Sequence, residues 1–189
     1  LYNVVDTYFV SGLGKEAVAA VSVAFPIQLI FLGIGLTFGA GAGSYISRLL
    51  GAKNNKEANI VATVSLFSSA IMAIILAIVL FYSLDSVMKF MGATPVIMEL
   101  AKTYTSLFII GGVLGAVNVT LGNLAVSQGA AKISLKAMIV GSLSNIILDP
   151  IFIFKLNLGV KGAAIATLIA RVITSLMYFI YFIGDKNLI

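Results

Sequence analysis

The sequence predicts an all-α integral membrane protein, and three observations carry that prediction. Of its 189 residues 60% are hydrophobic and only 10% are charged, with a mean hydropathy of +1.12, so there is too little charge to cover the surface of a water-soluble globule. The charged residues stand singly between long apolar tracts. Those tracts are long enough to cross a bilayer as helices, which takes about 20 residues each, and a helix satisfies its own backbone polar groups in lipid.

The spans follow in order from the gaps between charges. Residues 17–47 are 31 positions without a charge, 58–84 are 27, and 103–131 are 29. Residues 137–154 are 18 positions interrupted by Asp149 alone, and 162–184 are 23 interrupted by Arg171 alone. Extended to their polar flanks, these tracts give spans over 17–49, 58–84, 96–127, 135–155 and 162–184. Residues 1–13 read as the last turns of a further helix, truncated at its start, because the chain begins at Leu1, already inside an apolar pattern. It is therefore expected to be a segment of something longer.

The connectors at 11–16, 51–57, 132–136 and 155–161 are short and polar, which makes successive spans antiparallel neighbours. The longest, 85–102, mixes Val87, Met88, Phe90, Met91, Val96 and Ile97 with Lys89 and Glu99. That mixture predicts a surface-lying amphipathic stretch, with Pro95 starting the next helix. If the first helix runs outward, Arg48, Lys53, Lys56, Lys132, Lys136 and Lys186 lie inside, against Lys15, Lys89, Lys102, Lys155 and Lys161 outside. Six against five sets no orientation.

Composition also excludes chemistry. With no histidine and no cysteine, thiol and histidine-centred catalysis, disulfides, and zinc or haem sites built on those ligands are ruled out. The net charge of +5 is dispersed, without the basic face that nucleic acid requires. Neither an enzyme nor a cofactor is expected.

What chemistry there is must come from polar residues inside spans. Asp6 and Asp149 are the carboxylates there, and an intramembrane carboxylate costs several kcal/mol on insertion scales unless paired, hydrated or protonated, about +3 at a helix centre. Asn145 lies four residues before Asp149 and Ser142 three before Asn145, so one helix face carries a polar stripe. Pro150 follows and, having no N–H, deprives the carbonyl of Ile146 of its helical partner. Two carboxylates, an amide oxygen and a freed carbonyl suit a hard cation or hold a proton. The plainer alternative is that Asp149 ends a helix near the interface and bonds locally.

Arg171 sits near the middle of the last span, one turn after Thr167, where it either neutralises an aspartate and lines a polar path or snorkels to one side. Gly35, Gly39 and Gly43 repeat at four-residue spacing, which favours close helix packing over a ligand role. Gly111 and Gly115 repeat the pattern more weakly. Pro26 interrupts the second span as a hinge or a tolerated kink. Glycines 33–43 lack a Walker lysine, so a nucleotide loop is not expected. Tyr178, Phe179, Tyr181 and Phe182 read as an interfacial aromatic belt.

Several stretches together resemble a known family. Tyr2-Asn-Val-Val-Asp6-Thr-Tyr-Phe-Val10, Leu13-Gly14 and Ala19-Ala-Val-Ser-Val-Ala-Phe-Pro26 are similar to the first helix and the start of the second in multidrug and toxic compound extrusion (MATE) transporters. Gly39-Ala-Gly-Ala-Gly-Ser44 through Ser47-Arg48-Leu-Leu-Gly51-Ala-Lys resembles the end of that second helix and its inner loop. Asn145-Ile-Ile-Leu-Asp149-Pro150 and Leu158-Gly-Val-Lys-Gly162-Ala-Ala-Ile-Ala-Thr167 resemble the fifth and sixth helices. The likeness runs through the chain in family order. It departs at Ser127-Gln128-Gly129, where members often carry an arginine before the glycine.

The resemblance implies a twelve-helix antiporter of two six-helix lobes, of which this chain is the N-terminal lobe with a truncated first helix, its second lobe absent. It implies a cation site at Asp6, Asn145, Asp149 and Thr167, holding sodium or a proton. Implied too are small organic, cationic or amphipathic substrates, a bacterial or archaeal plasma membrane location, and connectors 51–57 and 132–136 on the cytoplasmic side. The expected activity is efflux of drugs or toxic compounds, coupled to cation influx by alternating access. The alternatives are a flippase for a lipid-linked precursor, which shares the fold, and a passive channel or membrane assembly subunit. An intramembrane aspartyl protease fits poorly, because its Gly-x-Gly-Asp signature is missing.

Overall fold

The computed structural model describes residues 2–184, with side chains from Asp6 onward; Leu1 and Lys186 lie outside the described residues. The described residues run through seven α-helices: α1 (Tyr2–Ser11), α2 (Lys15–Gly51), α3 (Asn55–Tyr82), α4 (Leu84–Phe90), α5 (Met98–Ser127), α6 (Ala131–Pro150) and α7 (Gly159–Ile183). A π-helical turn, Ile151–Lys155, continues α6. Among the described residues five helices are long and apolar enough to cross a membrane: α2, α3, α5, α6 with its π-helical turn, and α7.

Polar residues and backbone breaks set the ends. Gly14 joins α1 to α2 at φ 114, a conformation that favours glycine. Asn54 caps α3: its side-chain oxygen accepts from the Glu57 backbone N–H at 3.3 Å and its amide donates to the Glu57 carboxylate at 2.7 Å. Gly129, at φ 83, turns the chain from α5 into α6.

Three boundaries differ from the sequence expectation. Pro95 does not start a helix; it lies in the turn before α5, whose first helical bond runs from the Ala101 N–H to the Ile97 carbonyl at 2.8 Å. Lys132 and Lys136 belong to α6 rather than to a connector, because three residues, 128–130, suffice for the turn. The last break shrinks to residues 156–158, with Lys161 inside α7. Within the 85–102 stretch Met88 and Ile97 turn into the core, while Lys89 and Glu99 are exposed together with the apolar Phe90 and Val96. Lys102 ties α5 back to α4 through Asp85 at 2.8 Å, and that ammonium holds the Asp85 carboxyl below the usual carboxylate range.

α5 is the hub, packing against α2, α3, α4, α6 and α7. The α2–α5 contact is close because of missing side chains. A Cβ on Gly35 would stand 2.7 Å from the Ala116 carbonyl oxygen and from Val119 Cβ, and one on Gly39 would stand 2.9 Å from Thr120 Cα. Gly43 has more room, its nearest neighbour being Ser127 Cβ at 3.6 Å. Thr120 sits at the same contact, its single hydroxyl proton within reach of the Gly35 carbonyl at 3.3 Å or of Ser69 Oγ of α3 at 2.8 Å.

Gly111 and Gly115 do not extend this pattern. They face the Arg171 side chain, while the neighbouring Gly112 makes the tight contact, 2.5 Å from an added Cβ to the Phe31 ring. α2 continues unbroken through Pro26, whose ring is exposed. Elsewhere the large apolar side chains of α3, such as Phe67, Ile71 and Ile75, point outward, as a lipid-facing helix requires.

Candidate functional site

Four helices bring one polar side chain or more to a single buried point. α1 supplies Asp6, α5 Tyr104, α6 Asn145 and Asp149, and α7 Thr167; Asp6, Asn145 and Asp149 have no exposed surface. The local reason is helical spacing: Asn145 and Asp149 lie one turn apart on the inner face of α6. Beyond Pro150 the helix does not stop but widens into its π-helical turn, which lies directly on α7. Gly162 makes that approach possible, since a Cβ there would stand 2.6 Å from the Phe152 carbonyl. Thr167 follows just over one turn later, aimed at Asp6.

The bonds converge on Asp6. Its Oδ2 accepts from Tyr104 Oη at 3.0 Å and from Thr167 Oγ1 at 3.0 Å. Its Oδ1 lies 3.2 Å from the same threonine hydroxyl and 3.3 Å from Asn145 Nδ2. Asn145 Nδ2 also reaches Asp149 Oδ1 at 3.0 Å and Thr167 Oγ1 at 3.4 Å. An amide nitrogen has two protons, so three oxygens around it cannot all be well served. Asn145 Oδ1 and Asp149 Oδ2 are buried and have no hydrogen-bond partner, an arrangement that is costly unless another species fills it.

Donor chemistry narrows what such a species can be. Among the described residues no three His, Cys, Asp or Glu side chains gather. The cluster offers carboxylate, amide and hydroxyl oxygens, hard donors suited to an alkali cation or a proton rather than to a soft transition metal. Ser142 is not among the groups bonded to the carboxylates; its buried Oγ has no hydrogen-bond partner.

Tyr104 escaped the sequence reading. Its partner lies 98 residues away, and a tyrosine near the start of an apolar span reads as an interfacial residue. Its ring stacks on Phe108 with centroids 5.6 Å apart. On Phe108 in turn lies Arg171, its guanidinium carbon 4.5 Å from the ring centroid. A continuous stack therefore leads from Asp6 to Arg171.

Arg171 borders a cavity of about 440 Å³ bounded by α2, α5, α6 and α7. Gln28, Asn118, Asn123, Thr174 and Tyr178 supply polar groups to its wall, and Phe31, Leu32 and Met138 supply apolar surface. Tyr178 thus leaves the expected aromatic belt: it is buried, with its hydroxyl 3.4 Å from Ser134 Oγ, whereas Phe179 is exposed.

A family model described as MatE matches residues 1–151. The chain belongs to the MatE family. The multidrug export protein MepA of Staphylococcus saprophyticus is 32% identical over 190 residues, covering 100% of this chain and 42% of that protein, and MepA of Staphylococcus aureus matches to the same extent. Among solved structures, the inward-facing conformation of a multidrug resistance MATE family transporter superposes with a TM-score of 0.95 at 36% identity, covering 100% of this chain and 43% of that one. An outward-facing conformation of such a transporter gives 0.86 at 38% identity, covering 98% and 41%. The chain thus spans less than half the length of these relatives. As a MatE protein with five apolar spanning helices it is a multi-pass protein of the plasma membrane, folded as a MATE lobe.

Proposed function

We propose that this MatE lobe forms part of an exporter of small, amphipathic organic molecules, driven by sodium or proton influx through Asp6, Asn145, Asp149 and Thr167. One observation carries the reading: carboxylates from α1 and α6 meet in one buried cluster whose Asn145 Oδ1 and Asp149 Oδ2 have no hydrogen-bond partner. Two carboxyl groups sharing one amide inside a bilayer require a proton or a cation between them. The arriving ion bonds groups on α1, α6 and α7 at once, so its occupancy favours whichever arrangement holds those helices together. Release favours the other, and a lobe that rocks between two arrangements gives alternating access. The cavity beside Arg171 is where a substrate fits. The names of the MepA relatives support drug export for the complete protein.

The test is gradient-driven efflux by the complete protein in vesicles. Asp6→Asn and Asp149→Asn are each expected to abolish coupled efflux while the protein still folds and inserts. Normal efflux by either variant removes the carboxylates from the mechanism. Efflux of equal rate with and without sodium and pH gradients favours a passive channel.

A further inference from the structure

We infer that Phe108 carries the coupling between the two sites: ion uptake at Asp6 unseats Arg171 at the cavity wall through the stacked rings of Tyr104 and Phe108, so that ion and substrate lower each other's affinity. The inference rests on the reading of the cluster as an ion site and of the cavity as a substrate site, and it names the residue through which the one acts on the other. Phe108 does not line the cavity and has no polar side-chain atom to offer an ion. It is a positioning residue, acting through the neighbours on its two faces.

The chain of contacts is unbroken. Tyr104 Oη donates to Asp6 Oδ2 at 3.0 Å, its ring lies on the Phe108 ring with centroids 5.6 Å apart and planes inclined by 21°, and the Arg171 guanidinium carbon stands 4.5 Å from the Phe108 centroid. All four residues are buried, and a close-packed interior passes a displacement on rather than absorbing it. The helices beneath are clasped at the same level: Asn118 of α5 donates to the Arg171 carbonyl at 2.9 Å, and Ser175 Oγ lies within hydrogen-bond distance of both Asn118 Oδ1 and that carbonyl. The backbones of α5 and α7 are thus fixed against each other, and the side chains are what can move. Gly111 and Gly115 leave the guanidinium space to do so, since a Cβ at either would crowd Nη1 at 3.2 and 3.4 Å.

Competition at one oxygen sets the sign of the coupling. Asp6 Oδ2 accepts from Tyr104 and from Thr167, each at 3.0 Å, and a proton or cation taken up there claims the same lone pairs. The tyrosine hydroxyl loses its acceptor, so its ring is no longer pinned. Phe108 follows the ring on which it stacks, and the cation–π contact that steadies the guanidinium weakens. A ligand fitted to the cavity with Arg171 seated on Phe108 then loses part of its wall. By linkage the ligand, in keeping Arg171 seated, favours the Tyr104–Asp6 bond and disfavours the ion to the same degree. Mutual exclusion of this kind is what an exchange of ion for substrate requires.

Binding of the fluorescent amphiphile dansylcadaverine to the purified complete protein tests this, measured with and without saturating sodium and at acid and alkaline pH. The readout is the ratio of the dissociation constants with and without the ion, which a general loss of stability or of ligand affinity does not move. In the wild type, sodium or acid is expected to weaken binding by about tenfold, within the usual range for coupled sites. Phe108→Leu and Phe108→Met, which remove the ring but keep an apolar side chain, should bring that ratio below about twofold, whereas Phe108→Tyr, which keeps the ring face, should leave it within about threefold of the wild type. An undiminished ratio in either ringless variant, monodisperse in detergent, or an equal loss in monodisperse Phe108→Tyr overturns the inference. So does a wild type whose affinity for the probe ignores both ions. Efflux by the same preparations separates the inference from the exporter reading. Linkage that depends on Phe108 without gradient-driven efflux sinks the exporter alone, and driven efflux with the linkage intact in Phe108→Leu sinks the inference alone.

Discussion

Tyr104 is the residue whose role is cheapest to isolate. Its hydroxyl donates to Asp6 at 3.0 Å while its ring stacks on Phe108, so Tyr104→Phe removes the bond and keeps the stack. A hydrogen bond to a charged group contributes about 1.5–3 kcal/mol. The variant is therefore expected to change the apparent affinity for the coupling ion by about tenfold or more, read from the ion dependence of efflux, with a smaller loss of thermal stability than Tyr104→Ala causes. An unchanged ion dependence would leave Tyr104 as a packing residue. Tyr104→Ala should also destabilise the protein, because it empties a fully enclosed site in the core. At this scale the sequence shows what is local. Asn145 and Asp149 announce themselves through helical spacing, whereas Thr167 joins them only through the resemblance to the family. Tyr104 does not, because nothing near it in the chain marks a bond to a residue on another helix. Tyr178 misleads for the same reason, since an aromatic near a span's end looks alike whether it faces lipid or a cavity.

Among the elements, the α2–α5 contact gives the sharpest contrast. Gly35 and Gly39 have no room for a side chain, whereas Gly33 and Gly41 on the same helix have nothing within 4 Å of an added Cβ. Gly35→Ala and Gly39→Ala are each expected to cost about 1–3 kcal/mol, the usual range for overpacking. Gly41→Ala should be neutral or mildly stabilising, because glycine is about 1 kcal/mol worse than alanine in a helix interior. Thermal unfolding of the three variants in one detergent checks the pairing, and equal midpoints would show that the helices simply move apart. The spacing of 35, 39 and 43 exposed this face in advance. It did not single out Gly112, whose neighbour Phe31 comes from another helix. The helix ends are less legible, because a charge in the sequence does not mark a helix boundary. Lys132, Lys136 and Lys161 all lie within helices: a charge near a span's end can reach water along its own flexible stem, so it marks the membrane surface rather than the end of the helix.

For the molecule as a whole, composition alone placed the chain in a membrane, and the order of its tracts was enough to lay out the lobe. What the order could not supply is depth, meaning which residues share a level across different helices. The cluster at Asp6 and the cavity at Arg171 are such levels, built from residues more than 100 positions apart. One dimension of the lobe also has a consequence for its surroundings. With 37 residues, α2 is about 55 Å long at 1.5 Å per residue, and its 31 uncharged positions alone extend over about 46 Å. A hydrocarbon layer is about 30 Å thick. Tilt alone does not absorb such an excess at ordinary angles, so a thin bilayer leaves apolar surface of α2 in water or forces the helix to bend. The complete protein should accordingly work best in thick membranes. In vesicles of monounsaturated phosphatidylcholines with 14 to 22 carbons per chain, efflux is expected to peak in the longer half of the series. A peak at 14 carbons would mean that α2 bends or leans into the lobe instead, with Pro26 the first place to look.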